Sequence, residues 1–358
     1  MKMLRHKTKV IKIGKVLIGG RHPIAIQSMA KCKTSDVRRT IRQIKALEKA
    51  GCEIVRVAIK DSRDALAIKE IKRKVKLPIV ADIHFNWRLA LEAIDAGADK
   101  IRLNPGNIYR RQEIKEIVSA LKISGIPLRI GVNSGSLRDL NSKKLSLPDK
   151  LVASALDYIK LIEGFKFYDI VVSLKASNVL DTLEAYRKMS KLCDYPLHLG
   201  VTATGSPFAG AIKSSIALGS LLLDGIGDTV RVSLTDKPEE EVYVARVILE
   251  SLGLRIFGPQ IISCPTCGRC EVDLVKKVKE LEARLSTYNS RTRQSIRRPT
   301  VALMGCVVNG PGEASCADIG IAFGRKEGLL FKNGLAVKKV SYENCVDILL
   351  KEMRKLNV

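Results

Sequence analysis

The sequence predicts an α/β protein: a (β/α)8 barrel of TIM type over residues 1–253, followed by a small α/β domain over 254–358. Three observations predict it. Short β-branched runs alternate eight times with amphipathic helical patterns between Pro23 and Leu252. That count and that length suit a closed barrel. The first strand is not followed by the GxGxxG turn of a doubly wound dinucleotide-binding sheet. After Gly253 the alternation stops and cysteines cluster, which marks a second unit.

The β runs are 24–29 (IAIQSM), 54–59 (IVRVAI), 79–83 (IVADI), 100–104 (KIRLN), 127–132 (PLRIGV), 170–175 (IVVSLK), 198–203 (HLGVTA) and 229–234 (TVRVSL). Between and after them the apolar spacing predicts helices near 36–50, 62–75, 87–96, 111–124, 148–163, 178–193, 210–223 and 238–252. Gly51, Gly97 and Gly125 each stand just past a helical pattern, where a left-handed residue ends a helix. Residues 254–263 read as a linker running into a strand, and CPTCGRC opens the second unit. A helix at about 272–287 carries Leu274, Val278, Leu281 and Leu285 on one face. A basic, Ser/Thr-rich connection at 286–299 leads to the strand TVALMGCVVN, the turn NGPGE at 309–313, and a closing helix from about Tyr342 to Leu356.

Composition bounds the function class. With 46% apolar and 28% charged residues over 358, the chain is globular, not disordered. The basic N-terminus is followed by no apolar segment of a secretory signal, and no apolar run is long enough for a membrane span. Nine cysteines, an odd and scattered set, do not suit a disulfide framework, so a reducing cytoplasm is expected. The net charge of +25 reads either as lysine-rich solvated helix faces, such as 69–76, or as a site for an anionic partner. Aromatics at 4% offer few stacking platforms for single-stranded nucleic acid.

Charges also occur where a barrel strand should be apolar. Arg56, Arg102, Arg129 and Arg231 each sit between two apolar residues, and Lys175 closes its strand. If the apolar neighbours face the helices, the five cations converge on the mouth at the C-terminal strand ends. Guanidinium forks suit phosphate oxygens, so a phosphorylated small molecule is the expected ligand, rather than nucleic acid on an exposed face. A structural ion-pair network with Asp82 or Glu53 is the competing reading. Asp82, His84, Asn104, Asn133 and Ser233 at strand ends add polar contacts. Of these, His84 stands where a catalytic base would, and equally where a structural histidine would.

Cys264-Pro-Thr-Cys267 places two thiolates on one turn, as both iron–sulfur clusters and zinc use. Further ligands could come from Cys270, Cys306, Cys316 or Glu313. A zinc ribbon would show a second tight pair, whereas Cys306 and Cys316 lie ten residues apart, which favours a cluster over zinc, with a purely structural CxxC as a third reading. Cys345 reads as a buried small hydrophobe and Cys52 and Cys193, at helix ends, as structural; Cys32 follows the first strand at the active end.

The motifs IAIQSM, VADIHFNWRLAL, IRLNPGNI, RIGVNSGSL, GIGDTVRVSLT, CPTCGR and MGCVVNGPGE occur in order and closely resemble the 4-hydroxy-3-methylbut-2-enyl diphosphate synthase family of the methylerythritol phosphate route, in its two-domain bacterial form. The resemblance runs from about residue 8 to the C-terminus. It implies reductive ring opening of 2-C-methyl-D-erythritol 2,4-cyclodiphosphate to the hydroxymethylbutenyl diphosphate. It also implies a 4Fe-4S cluster held at the positions of Cys264, Cys267, Cys306 and Glu313. By the same resemblance the diphosphate sits on Arg56, Arg102, Arg129, Asn133 and Lys175, to which the charge pattern adds Arg231 and Ser233. Asp82, His84 and Lys175 are the expected catalytic groups. A ferredoxin or flavodoxin donor and a head-to-tail homodimer, with one subunit's cluster domain over the other's barrel, are implied as well. In two places the chain departs from the family pattern. The family's glutamate in V-T-E-A-G is replaced by Ala203, and Cys270 stands as a rival to Glu313. A pterin-binding barrel and a basic cluster- or zinc-bearing nucleic-acid binder are the alternative functions.

Overall fold

The computed structural model describes residues 5–137, 145–202, 205–286, 299–325 and 327–356. The chain divides into two compact units, one ending at Arg255 and the other beginning at Ile256.

In the first unit the eight expected strands form one parallel sheet: β3 (Ala25–Met29), β4 (Ile54–Ile59), β5 (Ile79–Ile83), β6 (Lys100–Leu103), β7 (Leu128–Asn133), β8 (Ile170–Lys175), β9 (His198–Leu199) and β10 (Thr229–Val230). The order is β8-β7-β6-β5-β4-β3-β10-β9, and a parallel bridge between Val172 and Leu197 draws the two ends together into a nearly closed barrel. The eight expected helices surround it: α1 (Val37–Ala50), α2 (Ser62–Lys74), α3 (Arg88–Asp95), α4 (Arg111–Ser124), α5 (Leu147–Glu163), α6 (Val179–Met189), α7 (Pro207–Leu223) and α8 (Pro238–Ser251). Gly51 and Gly125 take φ of +101° and +64° at the ends of α1 and α4, as a left-handed cap requires. The strands β9 and β10 are shorter than the sequence suggested. Beyond them the backbone turns to other partners, with Thr202 N–H donating to Ala176 O at 3.2 Å and Leu234 N–H to Glu241 Oε1 at 3.1 Å.

A hairpin that the strand pattern did not predict precedes the barrel, formed by β1 (Ile11–Ile13) and β2 (Val16–Ile18). Ile11, Ile13 and Ile18 pack on Ala25, Ile54, Val80 and Val171, which lie at or near the N-terminal starts of four barrel strands. The hairpin therefore stoppers the end opposite the expected site, and its short alternation buries alternate residues without needing a long hydrophobic run.

The second unit is a five-stranded sheet in the order β11 (Gln260–Ser263), β12 (Thr300–Met304), β13 (Ile319–Phe323), β14 (Gly328–Lys332) and β15 (Leu335–Val340). The first three strands run parallel and the last two antiparallel. Helices α9 (Leu274–Ser286) and α11 (Cys345–Met353) bury Leu274, Leu281, Cys345 and Leu349 against Val301, Leu303, Ile321 and Phe323. The NGPGE segment is not a free turn but the start of a short helix, α10 (Gly310–Cys316). Pro311 in the first turn lacks only an N–H that would have had no helical partner. Among the described residues no helix is long and apolar enough to cross a membrane.

Candidate active site and metal centre

Strand register decides which way the cations point. In a parallel ladder paired residues share a face, and the pairs Met29–Arg56, Arg56–Val80, Val80–Lys100, Arg102–Arg129 and Arg129–Val171 carry one face around the wall. Val80 and Val171 pack on the stopper hairpin inside the barrel, so that face is the interior. Arg56, Asp82, Arg102, Arg129 and Lys175 share it and are all buried. Arg231 lies on it as well, two residues beyond Thr229, which is itself registered with Ala25.

Asp82 is the hub. Arg102 Nη1 donates to Asp82 Oδ1 at 3.0 Å, and Arg56 Nε lies 3.5 Å from Oδ2. Burial alone would push the Asp82 carboxyl up, but Arg56, Arg102 and Arg129 together hold it well below the usual carboxylate range. Arg102 is aimed further by Gly131 O, which accepts from Nη2 at 2.9 Å, and by Asn133, whose Oδ1 accepts from the same nitrogen at 3.2 Å. Arg56 also lies against Met29 Sδ, 2.9 Å from Nη2. Glu53, considered as a partner for the barrel cations, instead pairs with Arg255 at 3.1 Å.

One carboxylate that reaches the strand ends from the helical layer escaped the sequence reading. Glu241, in the first turn of α8, is buried and accepts from Ser28 Oγ at 3.2 Å and Leu234 N–H at 3.1 Å. Lys31 Nζ lies 3.0 Å from its Oε1 and Arg231 Nη2 lies 3.5 Å from its Oε2. The run Glu239-Glu240-Glu241 gave no signal, because acids in a helix's first turn are ordinary. The sequence reading also passed over Lys100 and His198, both buried on the inner face. Against Asp82, the inner face carries the buried cations Arg56, Lys100, Arg102, Arg129 and Lys175, and the half-buried Arg231. Burying such an excess is costly unless an anion completes the site.

Two glycines make room for this packing. A Cβ on Gly131 would lie 2.4 Å from Arg102 Nε, and one on Gly200 would lie 2.7 Å from Lys175 Nζ. Gly131→Ala is therefore expected to turn Arg102 off Asp82 and raise KM about tenfold, worth about 1.4 kcal/mol, with less effect on kcat. Steady-state kinetics beside the wild type checks it. A cavity of about 670 Å³ opens at the strand ends, lined by His84, Phe85, Arg102, Asn104, Asn133, Ser136 and Thr202 among others. His84 thus stands at the rim of the cavity, with Asp82 beneath it, and Ser233 lies half-buried two residues beyond Arg231. Ala203, where the resemblance places the family's glutamate, lies outside the described residues.

In the second unit, parallel pairing of β11 with β12 sets the segments that carry Cys264 and Cys306 side by side, and Gly305 N–H donates to Cys264 Sγ at 3.4 Å. Backbone N–H groups of Val308 and Asn309 face the Cys306 sulfur and draw its pKa below the ordinary thiol value. Arg269, through its backbone N–H and its side chain, lowers that of Cys267. Both sites favour thiolate, the form that binds metal. Glu313 is exposed on α10, one turn past Asn309. Cys270 is differently placed: its Sγ donates to Val272 O at 3.2 Å and it packs on the apolar core beside Gly305. Among the described residues no three His, Cys, Asp or Glu side chains close on a single ion. A cluster, with each ligand on its own iron, has no need of such closure. The donor set of three thiol groups and a nearby carboxylate suits one. Cys52 and Cys345 are buried, with the Cys52 thiol pushed up to about 12 by burial, and they are structural.

The family model described as the GcpE TIM-barrel domain matches residues 8–246, and that described as the GcpE protein C-terminal domain matches residues 260–355. The 4-hydroxy-3-methylbut-2-en-1-yl diphosphate synthase (flavodoxin) of Fusobacterium nucleatum is 52% identical over 355 residues, 99% of this chain and 97% of its own length. The protein of the same name from Caldicellulosiruptor saccharolyticus is 53% identical over 351 residues, covering 98% and 99%. Among solved structures, the dihydropteroate synthase of Stenotrophomonas maltophilia superposes with a TM-score of 0.54 over 69% of this chain and all of its own (100%), at 11% identity. That likeness is one of barrel fold. Two domain models matched in order along one chain, with relatives identical at half of all positions over nearly their whole length, lead to one conclusion: the protein belongs to the GcpE family.

Proposed function

We propose that this protein opens the ring of 2-C-methyl-D-erythritol 2,4-cyclodiphosphate by reduction, giving 4-hydroxy-3-methylbut-2-enyl diphosphate. The observation that carries the reading is the excess of inward arginines and lysines in the barrel, which asks for a compact, highly charged anion. Arg56, Arg102, Arg129, Lys175 and Arg231 hold the diphosphate, with Asn133 and Ser233 as neutral contacts. Asp82 fixes Arg56 and Arg102 in place, so the site meets the substrate already organised. His84 at the cavity rim and Lys175 on the inner wall are the groups placed to hold or move a proton. Cys264, Cys267, Cys306 and Glu313 would hold a 4Fe-4S cluster, which when bound supplies electrons singly, received from a flavodoxin. With alanine at 203, the proton that leaves with the departing oxygen comes from a group elsewhere in the site.

The working unit in this reading is a cytoplasmic head-to-tail homodimer, in which one subunit's cluster domain serves its partner's barrel. Co-expression of Cys306→Ala and Arg102→Ala chains tests both parts together. Each variant alone is expected to be inactive toward the cyclodiphosphate under anaerobic conditions. Random mixing of the two restores about a quarter of wild-type turnover, since half the dimers carry one intact composite site. No recovery on mixing would overturn the shared site. A wild-type, cluster-loaded protein unable to turn over the cyclodiphosphate would overturn the function.

A further inference from the structure

Below the cations of the mouth, the barrel holds a second polar layer that, apart from its roof Arg129, the proposed reaction does not use. Gln27, Lys100 and His198 face inward from β3, β6 and β9, and Arg129 roofs them from β7. All four are at most 1% exposed, and none lines the cavity at the mouth. Among the described residues, no partner is found for Lys100 Nζ, for any guanidinium nitrogen of Arg129, for His198 Nε2, or for either amide atom of Gln27. The other ring nitrogen, His198 Nδ1, is 2.7 Å from Thr229 Oγ1, so the ring is anchored with Nε2 free toward the interior.

The chemistry of the layer is one-sided. Lys100 and Arg129 offer donors only, the Gln27 amide offers donors and one acceptor, and His198 Nε2 donates whenever Nδ1 accepts from Thr229. The carboxylate nearest the roof, Asp82, is already taken by Arg56 and Arg102. Water does not cure an excess of donors, because each water brings as many as it accepts. A group that only accepts does. Burial, and the mutual repulsion of Lys100, Arg129 and Arg56, press against the charged forms here, which a counter-charge would relieve.

We propose that this enclosed layer is a binding site for a small inorganic monoanion of halide type, resident beneath the substrate's seat and held by Lys100, Arg129, His198 and Gln27. The site shares Arg129 with the substrate's seat but lies beneath it, so an anion in the mouth does not displace the one below. It would hold the roof guanidinium of Arg129 charged when the mouth is empty.

The test uses the full cluster-loaded protein, crystallised from bromide with inorganic pyrophosphate saturating the mouth, and diffraction at the bromine edge. A single anomalous peak is expected within about 3.5 Å of Lys100 Nζ and His198 Nε2, unmoved by pyrophosphate. A peak confined to the mouth and displaced by pyrophosphate, or waters alone in the layer, would overturn the proposal. In solution, bromide in place of acetate at fixed ionic strength is expected to raise the melting temperature with pyrophosphate present. Lys100→Met should weaken that halide response at least about tenfold, while the variant still folds, since an apolar side chain of similar length replaces an unpaired charge. An unchanged halide response in Lys100→Met would overturn it equally. If that variant fails to fold, Gln27→Leu serves in the same measurement, beside the wild-type crystal.

Discussion

Asp82→Ala is expected to lower the stability of the barrel by about 3–5 kcal/mol at neutral pH, the usual cost of leaving buried charges without their partner. Two guanidinium groups rest on this carboxylate, from Arg56 and Arg102, and neither has another acid on the described wall at comparable distance. The pH dependence follows from the lowered pKa of Asp82. A carboxyl that is more acidic folded than unfolded stabilises fully above its unfolded value, about 3.9, and loses that contribution as pH falls below it toward the folded value. Urea unfolding of wild type and variant should therefore differ most at pH 7 and converge as pH drops below about 4. Pyrophosphate supplies an anion to the same arginines, so at a hundredfold excess over its Kd it should return about 2.7 kcal/mol to the variant. An equal curve for both proteins at neutral pH would show that Asp82 is not the charge organiser of the site.

Cys306→Ala is expected to remove the visible absorbance of the cluster and to lower turnover by about a thousandfold or more, the scale seen when one member of a cooperating catalytic set is lost. The sulfur faces the N–H groups of Val308 and Asn309, which lower its pKa toward the thiolate form that binds metal. Cys264→Ala and Cys267→Ala should behave alike. Cys270→Ala is expected to leave the spectrum intact, because its thiol is turned to Val272 O and the apolar core. Glu313→Gln separates the two candidate fourth ligands: a changed spectrum in that variant alone assigns the carboxylate, and a changed spectrum in Cys270→Ala alone assigns the thiol.

Much of the barrel was legible because its signals are local. Alternation of strand and helix, with glycine at helix ends, predicted every barrel strand and helix, although β9 and β10 end four residues earlier than expected. The inward set of arginines was legible for the same reason, since a cation between two apolar strand residues has only one other face to occupy. What was missed depends on contacts distant in sequence. The strands Ile11–Ile13 and Val16–Ile18 are too short to announce themselves and gain meaning only against Ile54, Val80 and Val171. Glu241 looked like a solvated helix acid until β3 and β10 closed over it. Lys100 begins its strand and gives no local signal, yet register sets it inside, beside Val80. In the second unit, Ile319–Phe323 and the two antiparallel strands after it carry weaker patterns than the helices that flank them.

The stopper hairpin has a kinetic consequence. With Ile11, Ile13 and Ile18 closing one end, the described barrel opens at the strand ends, where the cavity lies. Whatever enters must leave past whatever entered after it, so traffic obeys last in, first out. A species at the bottom exchanges with solvent only in the intervals when the mouth is empty, and its residence time is set by the turnover above it.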